Sequence, residues 1–192
     1  MENLIQTAAA VQTFLDAKRW RYCFIGGVAV QKWGQVRYTQ DVDLTIFTGF
    51  GGEEVVINAL LASFAARIKD ARAFALRNRI VLLRAENGID LDVSCGGFPF
   101  EESAIRRAKK VSVIPGVRLR LCTAEDLIVY KAFAGRPIDW MDVEGVIAKQ
   151  PIGRLDWTYI YAQLAPLAEL KEDAEAVPKL KELRRIVESD AV

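Results

Sequence analysis

The chain has 192 residues, of which 52% are hydrophobic and 27% charged, so it can bury a core of ordinary size and is not a disordered chain. Its net charge of +1 does not by itself require a polyanionic partner. The sequence contains no histidine, which excludes serine–histidine–aspartate triads, cysteine–histidine pairs and zinc held by imidazole. Any catalysis must therefore use carboxylates, lysine, arginine or hydroxyl groups, with or without a hard metal ion.

The three cysteines are Cys23, Cys95 and Cys122, and none of them forms a C-x-x-C motif. Cys23 and Cys95 lie in apolar, strand-like runs, which predicts buried free thiols. An odd number of cysteines without a disulfide framework predicts a reducing compartment, the cytoplasm. The N-terminus carries no signal pattern and no apolar run reaches membrane-spanning length, so we expect no membrane partner.

The first part of the chain is predicted to alternate helices with strands, because its apolar residues change from helical to strand-like spacing. The predicted elements are a helix over 3–19, a strand over 21–25, one or two helical turns over 28–34, a strand over 42–47 and a helix over 53–69. The last of these is predicted from apolar residues at helical spacing, namely Val56, Leu60, Phe64 and Ile68.

The middle of the chain is predicted to contain two hairpins, because Asn87-Gly88 and Pro115-Gly116 each separate two strand-like runs. The predicted elements there are strands over 80–84 and 89–95, a helix over 100–108, and strands over 111–114 and 117–121. Thr123 then begins a helix as its N-cap, with Asp126 three residues later, and Pro137 begins the next helix.

The order of elements predicts an α/β (α+β) fold, a small mixed sheet flanked by helices with a helical C-terminal part. We expect a core over residues 1–122 and a helical C-terminal region over residues 123–192, packed on the core.

Two pairs of aspartates lie on predicted strands. Asp41 and Asp43 are two residues apart, so their side chains project from one face and repel each other unless a cation lies between them. Magnesium prefers such oxygen ligands, and two-metal phosphoryl transfer needs a further shared carboxylate. Asp90 and Asp92, in the segment GIDLDVS, are both candidates for this third acid, although Asp90 could instead pair with Arg79 or Arg84.

The pair Gly26-Gly27 joins a predicted strand to a predicted helix. Its backbone N–H groups could approach a phosphate closely, at the favourable end of the helix dipole. A strand-to-helix turn would need such residues even without a ligand. The combination of Gly-Gly, helix, Asp-x-Asp strand and second acidic strand is more specific than either motif alone.

These residues resemble the nucleotidyltransferases of the DNA polymerase beta superfamily, whose signature is Gly-Gly or Gly-Ser followed by Asp-x-Asp. More narrowly, they resemble the minimal nucleotidyltransferases of AbiEii/AbiGii type, which include toxins of bacterial toxin–antitoxin systems. The segment RYTQDVDL has an arginine and a threonine just before the paired acids, as in that group. The likeness continues in DVSCGGFPFEESAIRRA and TAEDLIVYKAFAGRPIDWMDVEGVI, and it covers roughly residues 21–150.

The resemblance implies a catalytic and metal-binding role for three aspartates, Asp41, Asp43 and Asp92. Asp90 stays open as the alternative third acid, or as a substrate-binding residue. The implied cradle for the triphosphate is Gly26 and Gly27.

The remaining implied site residues bind substrate or neutralise its charge. Lys131 would neutralise phosphate charge during transfer, although it could simply be solvent-exposed. The other implied substrate-binding residues are Arg37, Thr39, Arg136, Asp139 and Asp142. Asp139 also lies in the first turn after Pro137, where a carboxylate favours the helix dipole regardless of catalysis.

The implied activity is Mg²⁺-dependent transfer of a nucleotide from an NTP, with two ions expected. The acceptor could be a tRNA or other RNA, a protein or a small molecule, and a toxin role would imply a cognate antitoxin protein. The alternative is a catalytically inactive module of the same fold that binds nucleotide or RNA through the basic stretches 67–84 and 101–120.

Overall fold

The computed structural model describes residues 2–190, so the outermost positions of the predicted domains, 1, 191 and 192, lie outside the described residues. The elements in chain order are α1 (Glu2–Ala17), β1 (Tyr22–Phe24), α2 (Gly26–Trp33), β2 (Asp41–Phe47), α3 (Glu53–Ser63), β3 (Ala65–Ala66), α4 (Ala71–Asn78), β4 (Ile80–Arg84), β5 (Asp90–Gly96), α5 (Pro99–Arg107), β6 (Lys109–Ile114), β7 (Val117–Leu121), α6 (Ala124–Ala134), α7 (Pro137–Lys149), α8 (Trp157–Leu170) and α9 (Ala176–Asp190).

The chain divides into two compact units. The first unit consists of Met1–Val28 and Tyr38–Cys122, and the second of Ala29–Arg37 and Thr123–Val192. The second unit thus includes residues 29–37, which the predicted core over 1–122 contained. The predicted pair of domains stays a prediction.

The first unit contains a seven-stranded mixed sheet with the order β3-β4-β5-β2-β1-β7-β6. The pairs β2–β5 and β1–β7 are parallel, while the other neighbours are antiparallel. The predicted mixed α/β fold is confirmed. Both predicted hairpins are also confirmed, since β4 pairs with β5 and β6 with β7.

The core of the first unit forms on one face of this sheet. Val42, Leu44 and Ile46 of β2 are buried there, together with residues of α1 and α3. Each such side chain contributes about 1.5–3 kcal/mol when it is fully buried. Because side chains alternate along a strand, Asp41 and Asp43 project from the opposite face of β2.

The second unit contains α6 to α9 together with residues 29–37. α6 begins with the predicted capping box of Thr123 and Asp126, and it ends at Gly135, whose φ of +74° is a conformation that glycine adopts readily. Residues 29–37 belong with α7 and the residue after it, because Lys149 donates to the Gly34 carbonyl and Gln150 to the Trp33 carbonyl.

The predicted helix over 53–69 is wrong at its C-terminal end. α3 ends at Ser63, Phe64 is extended (φ −132°, ψ 149°), and Ala65 and Ala66 pair with β4. The helix α4 that follows was not predicted. Backbone pairing with the sheet outweighs the helical spacing of Phe64 and Ile68, which periodicity alone cannot reveal.

Two sequence predictions about local environment can be compared with this structure. The thiols of Cys23, Cys95 and Cys122 are free and buried, as predicted for the first two. Within residues 2–190, every helix is too short or too polar to cross a lipid bilayer.

Candidate active site

Three partly exposed carboxylates meet on the face of β2 and β5 that lies opposite the core. β2 and β5 run parallel, with Asp41 beside Asp90 and Asp43 beside Asp92. One carboxylate oxygen from each of Asp41, Asp43 and Asp92 lies within 4.8 Å of the others. Three partly exposed acids at such distances repel each other, so a cation would stabilise the group.

The two glycines lie directly against the paired acids. A Cβ atom at Gly26 would lie 1.9 Å from Oδ2 of Asp43, and the φ of Gly26 is +55°. A Cβ atom at Gly27 would lie 2.3 Å from Oγ1 of Thr39, and the Gly27 N–H donates to Asp43 Oδ2 at 3.3 Å. Glycine is therefore required at both positions by close approach. α2 begins at Gly26, so both glycines belong to the first turn of the helix, and not to a turn before residue 28 as predicted.

Thr39 orients one of the acids. Its Oγ1 donates to Asp41 Oδ1 at 2.9 Å, and its side chain is buried. The predicted site residue Thr39 therefore acts on Asp41 within the first unit.

Asp90 and Asp92 differ in the number of arginines that bind them. Arg67 donates to Asp90 Oδ2 at 2.8 Å and to Asp92 Oδ1 at 2.5 Å. Arg84 donates to the other oxygen of Asp90 at 2.7 Å. Both oxygens of Asp90 therefore accept from guanidinium groups, whereas Asp92 belongs to the three-acid group.

The pKa values of the two acids are shifted in opposite directions. Hydrogen bonds from Arg84 and Arg67 lower the pKa of Asp90 below its ordinary value. Burial raises the pKa of Asp92, the nearby charge of Arg67 opposes this rise, and the charges of Asp41 and Asp90 add to it. A carboxylate with a raised pKa among other carboxylates is a candidate for proton transfer or for metal binding.

The donor set fits a hard divalent cation. Carboxylate oxygens are the ligands that Mg²⁺ prefers, and the ion commonly takes only a few of them together with substrate phosphates. Asp41, Asp43 and Asp92 would hold it. A Cβ atom at Gly26 or at Gly27 would meet Asp43 or Thr39, so glycine allows the start of α2 to lie this close to the acids.

The second unit brings together five of the other predicted site residues. Lys131 is buried, and its Nζ lies 2.9 Å from Asp139 Oδ1 and 2.9 Å from Asp142 Oδ2. Arg136 Nε donates to Asp139 at 2.6 Å, and Arg37 Nε donates to Asp142 at 2.6 Å. We call these five residues the ion cluster. The alternative that Lys131 is solvent-exposed is wrong.

The cations of the ion cluster compensate the charges of its two carboxylates. Burial raises the pKa of Asp139, but hydrogen bonds from Arg136 and Lys131 outweigh it and hold the pKa below its ordinary value. The pKa of Asp142 is likewise lowered, because Arg37 and Lys131 outweigh its burial. Each carboxylate accepts from two cationic side chains, as buried charges require.

Arg67 is the residue at this site that sequence reasoning missed. The predicted helix over 53–69 placed it on the wrong element, and the partners considered for Asp90 were Arg79 and Arg84. Arg84 is indeed a partner, while Arg79 forms an ion pair with Glu53. A sequence signal for Arg67 would have required recognising the short strand β3 before it.

No protein-family model matches the chain, and a search of curated proteins gives no match. Among solved structures, an antigenic nucleotidyltransferase-like protein from Paracoccidioides brasiliensis is similar over 96% of this chain and 93% of its own, with 18% identity and a TM-score of 0.52.

Two further solved structures are similar at lower TM-scores. The lincosamide antibiotic adenylyltransferase LnuA, lincomycin-bound, is 12% identical, with 73% of this chain and 94% of that chain covered and a TM-score of 0.47. The antibiotic-resistance factor ANT(2'')-Ia is 17% identical, with 98% and 90% covered and a TM-score of 0.41. The likeness to the first structure, above, establishes the fold of a nucleotidyltransferase-like protein.

Proposed function

We propose that this protein is a metal-dependent nucleotidyltransferase that moves a nucleotide from an NTP to an acceptor and releases pyrophosphate. The observation that carries the proposal is the three-acid group, in which oxygens of Asp41, Asp43 and Asp92 lie within 4.8 Å of one another beside the Gly26-Gly27 backbone. The fold likeness to a nucleotidyltransferase-like protein supports the same reaction class.

In the proposed mechanism, Asp41, Asp43 and Asp92 hold Mg²⁺, with two ions expected. When bound, the metal would neutralise phosphate charge and lower the pKa of the acceptor oxygen. Thr39 fixes the orientation of Asp41 through its hydrogen bond. The backbone at Gly26 and Gly27, in the first turn of α2 beside Asp43, would cradle the triphosphate, as the family resemblance implies.

In the proposed reaction one P–O bond forms, one P–O bond breaks and one proton is transferred. The acceptor hydroxyl oxygen attacks the α-phosphorus, the bond to the β-phosphate oxygen breaks, and pyrophosphate leaves. Asp92 would accept the hydroxyl proton, because it is the acid that the neighbouring strand β5 adds to the pair on β2.

The roles of Lys131, Arg37, Arg136, Asp139 and Asp142 in binding substrate stay predictions from the family resemblance. So do the AbiEii/AbiGii subtype, a toxin role with a cognate antitoxin, and a cytoplasmic location. The motif RYTQDVDL supports the subtype, and three free buried thiols support a reducing compartment.

A basic pocket in the first unit favours RNA among the acceptors considered. A cavity of about 250 Å³ is lined by Trp20, Arg21, Arg106, Arg120 and three other residues. The segments 16–22 and 101–120, which supply this lining, contain nine basic and three acidic residues in a chain of net charge +1. Arginines beside aromatic rings suit a single-stranded phosphate backbone with stacked bases.

The same pocket supports a second candidate function, an RNA-binding module without transferase activity. Such a module would bind RNA without Mg²⁺ and would tolerate loss of Asp43, because the basic pocket and not the acids would carry its affinity. Metal dependence therefore separates the two candidates.

The test is transfer of label from α-³²P NTPs, each in turn, in the presence of Mg²⁺ and total RNA. The proposal predicts label in RNA, in protein or in an added small-molecule acceptor, and its loss in a folded Asp43→Ala variant. RNA binding that persists in Asp43→Ala, with no transfer to any acceptor, would favour the binding module.

A further inference from the structure

Arg67 reaches the three-acid group from outside the two strands that carry it. It follows β3, and its N–H donates to the Leu82 carbonyl of β4 at 3.0 Å. Leu82 lies beside Asp92, and Asp92 beside Asp43. Side chains of residues that are paired across a sheet project from the same face. The guanidinium of Arg67 therefore lies on the face of the sheet that carries Asp92 and Asp43, and it reaches Asp92 there.

The guanidinium forms a bridge between the two acids of β5. Its two terminal nitrogens bind different carboxylates, Asp90 at 2.8 Å and Asp92 at 2.5 Å, and its side chain is only 18% exposed. Arg84 holds Asp90 from its other side. Asp90 is therefore an anchor for two arginines, and Arg67 is fixed in position with its charge on Asp92.

We propose that Arg67 is a positioning residue that stands in for the divalent cation, supplying positive charge to Asp92 until metal binds. The inference rests on the proposed function, because it concerns the same three-acid group. A guanidinium and a metal ion that share one carboxylate repel each other, so each weakens the binding of the other. Arg67 thus keeps the metal-free site folded at the expense of metal affinity.

The proposed role and an ordinary structural role predict opposite changes in metal affinity when Arg67 is removed. If Arg67 only held Asp92 in shape, its removal would weaken metal binding, as loss of a supporting contact to a metal ligand does. If it stands in for the metal, removal of its charge strengthens metal binding and destabilises the metal-free protein. The direction of the change in metal affinity therefore decides between the two.

The experiment is Mn²⁺ binding, measured by the electron paramagnetic resonance signal of free Mn²⁺, for the full chain and its Arg67→Gln variant. We expect the dissociation constant for Mn²⁺ to fall at least about threefold in Arg67→Gln, because one positive charge next to the site is removed. The melting temperature in EDTA should fall in the same variant. An unchanged or higher dissociation constant in folded Arg67→Gln would overturn the inference.

Two matched variants separate charge from position. Arg67→Lys keeps the charge but cannot bridge Asp90 and Asp92 through two nitrogens, so its affinity for Mn²⁺ should lie between those of the wild type and Arg67→Gln. Arg84→Gln removes the same charge from a neighbour whose hydrogen bond goes to Asp90, so it should tighten Mn²⁺ less than Arg67→Gln does. Equal tightening in Arg84→Gln would mean that general charge, and not the bridge to Asp92, sets the affinity, and this would overturn the inference.

A second measurement covers the case in which Arg67→Gln does not fold. In wild-type protein, the Nε–Hε resonance of Arg67, identified by its loss in Arg67→Lys, should shift on addition of Mg²⁺ as the bond to Asp92 weakens. A resonance that does not respond to saturating Mg²⁺ would overturn the inference. Wild-type protein that binds no Mn²⁺ would remove the proposed function as well, whereas wild-type binding that Asp43→Asn abolishes leaves the proposed function intact whatever Arg67→Gln does.

Discussion

The aspartates of the three-acid group and those of the ion cluster lie in opposite electrostatic surroundings. In the three-acid group, Asp41, Asp43 and Asp92 share one face, and burial together with neighbouring acids raises the pKa of Asp92. In the ion cluster, cationic side chains hold the pKa of Asp139 and of Asp142 low. A cation would relieve the repulsion among the three neighbouring acids, whereas Asp139 and Asp142 each already accept from two cationic side chains of the protein.

The largest effect should follow from substitution of the third acid. We expect Asp92→Asn to lower nucleotidyl transfer about a thousandfold, because a metal ligand and proton acceptor worth several kcal/mol is lost. Asp90→Asn should lower it less than about tenfold, since both oxygens of Asp90 accept from arginines. Rates of α-³²P transfer under single-turnover conditions provide the measurement. Equal losses in the two variants would remove the distinction drawn between these acids.

Substitution of Lys131 in the ion cluster should lower the free energy of unfolding. Lys131→Met leaves Asp139 and Asp142 each with one cation fewer in a buried setting, so the free energy of unfolding should fall by about 3 kcal/mol. Urea denaturation followed by circular dichroism measures the change. The control is Arg185→Gln, which breaks an exposed pair with Glu182 and should cost less than about 1 kcal/mol. A similar cost for both variants would contradict a structural role for the cluster.

A comparison of Gly26 with Gly116 separates two effects of glycine, the close approach to Asp43 and the relief of backbone strain. Both Gly26 and Gly116 have positive φ, +55° and +79°, but only at Gly26 would a Cβ atom meet Asp43, while at Gly116 nothing lies within 4 Å. Alanine at either position should cost about 1–2 kcal/mol of stability through strain. Gly26→Ala should also lower transfer about tenfold or more, because Asp43 must move. Full activity in Gly26→Ala would contradict the close approach.

The smallest effect should appear as opposite pH dependences of stability, measured in EDTA. The pKa values of Asp139 and Asp142 are lowered on folding from 3.8, so their contribution to stability is present above pH 3.8 and is lost as the pH falls further. Asp142→Asn should therefore be less stable than the wild type at pH 7, and the gap should narrow in acid.

Asp92 should show the reverse behaviour. Its pKa is raised on folding, so the ionised carboxylate destabilises the metal-free fold above that pKa, and protonation relieves this as the pH falls toward 3.8. Asp92→Asn should be more stable than the wild type at pH 7, with a gain that shrinks in acid. Stability curves of the two variants that run parallel would contradict the comparison between the two regions.

The sequence predicted the acid pairs and their common face because the period of a strand fixes which side chains lie together. It could not choose between Asp90 and Asp92, because the choice depends on two arginines from neighbouring strands. Arg67 follows β3, and Arg84 is the last residue of β4. A two-residue strand such as β3 has no periodicity to detect. Its partner strand β4 follows the helix α4, which was not predicted, and Ala66 pairs with Leu83, 17 residues further along the chain.

The ion cluster shows the same limit in the second unit. Thr123 and Pro137 predicted the starts of α6 and α7 correctly, because caps act locally. The bond between Arg37 and Asp142 joins residues 105 positions apart, and only the packing of residues 29–37 with α7 creates it. Local patterns therefore located the elements, while the long-range ion pairs needed the structure.

The most direct test of the central claim is Mn²⁺ binding by wild type, Asp43→Asn and Asp142→Asn at neutral pH, with folding of each variant checked by circular dichroism. If the three-acid group is the cation site and the ion cluster is structural, wild type and Asp142→Asn bind Mn²⁺ with similar affinity and Asp43→Asn does not bind it at the same concentration. Equal binding by Asp43→Asn, or no binding by the wild type, would contradict the claim.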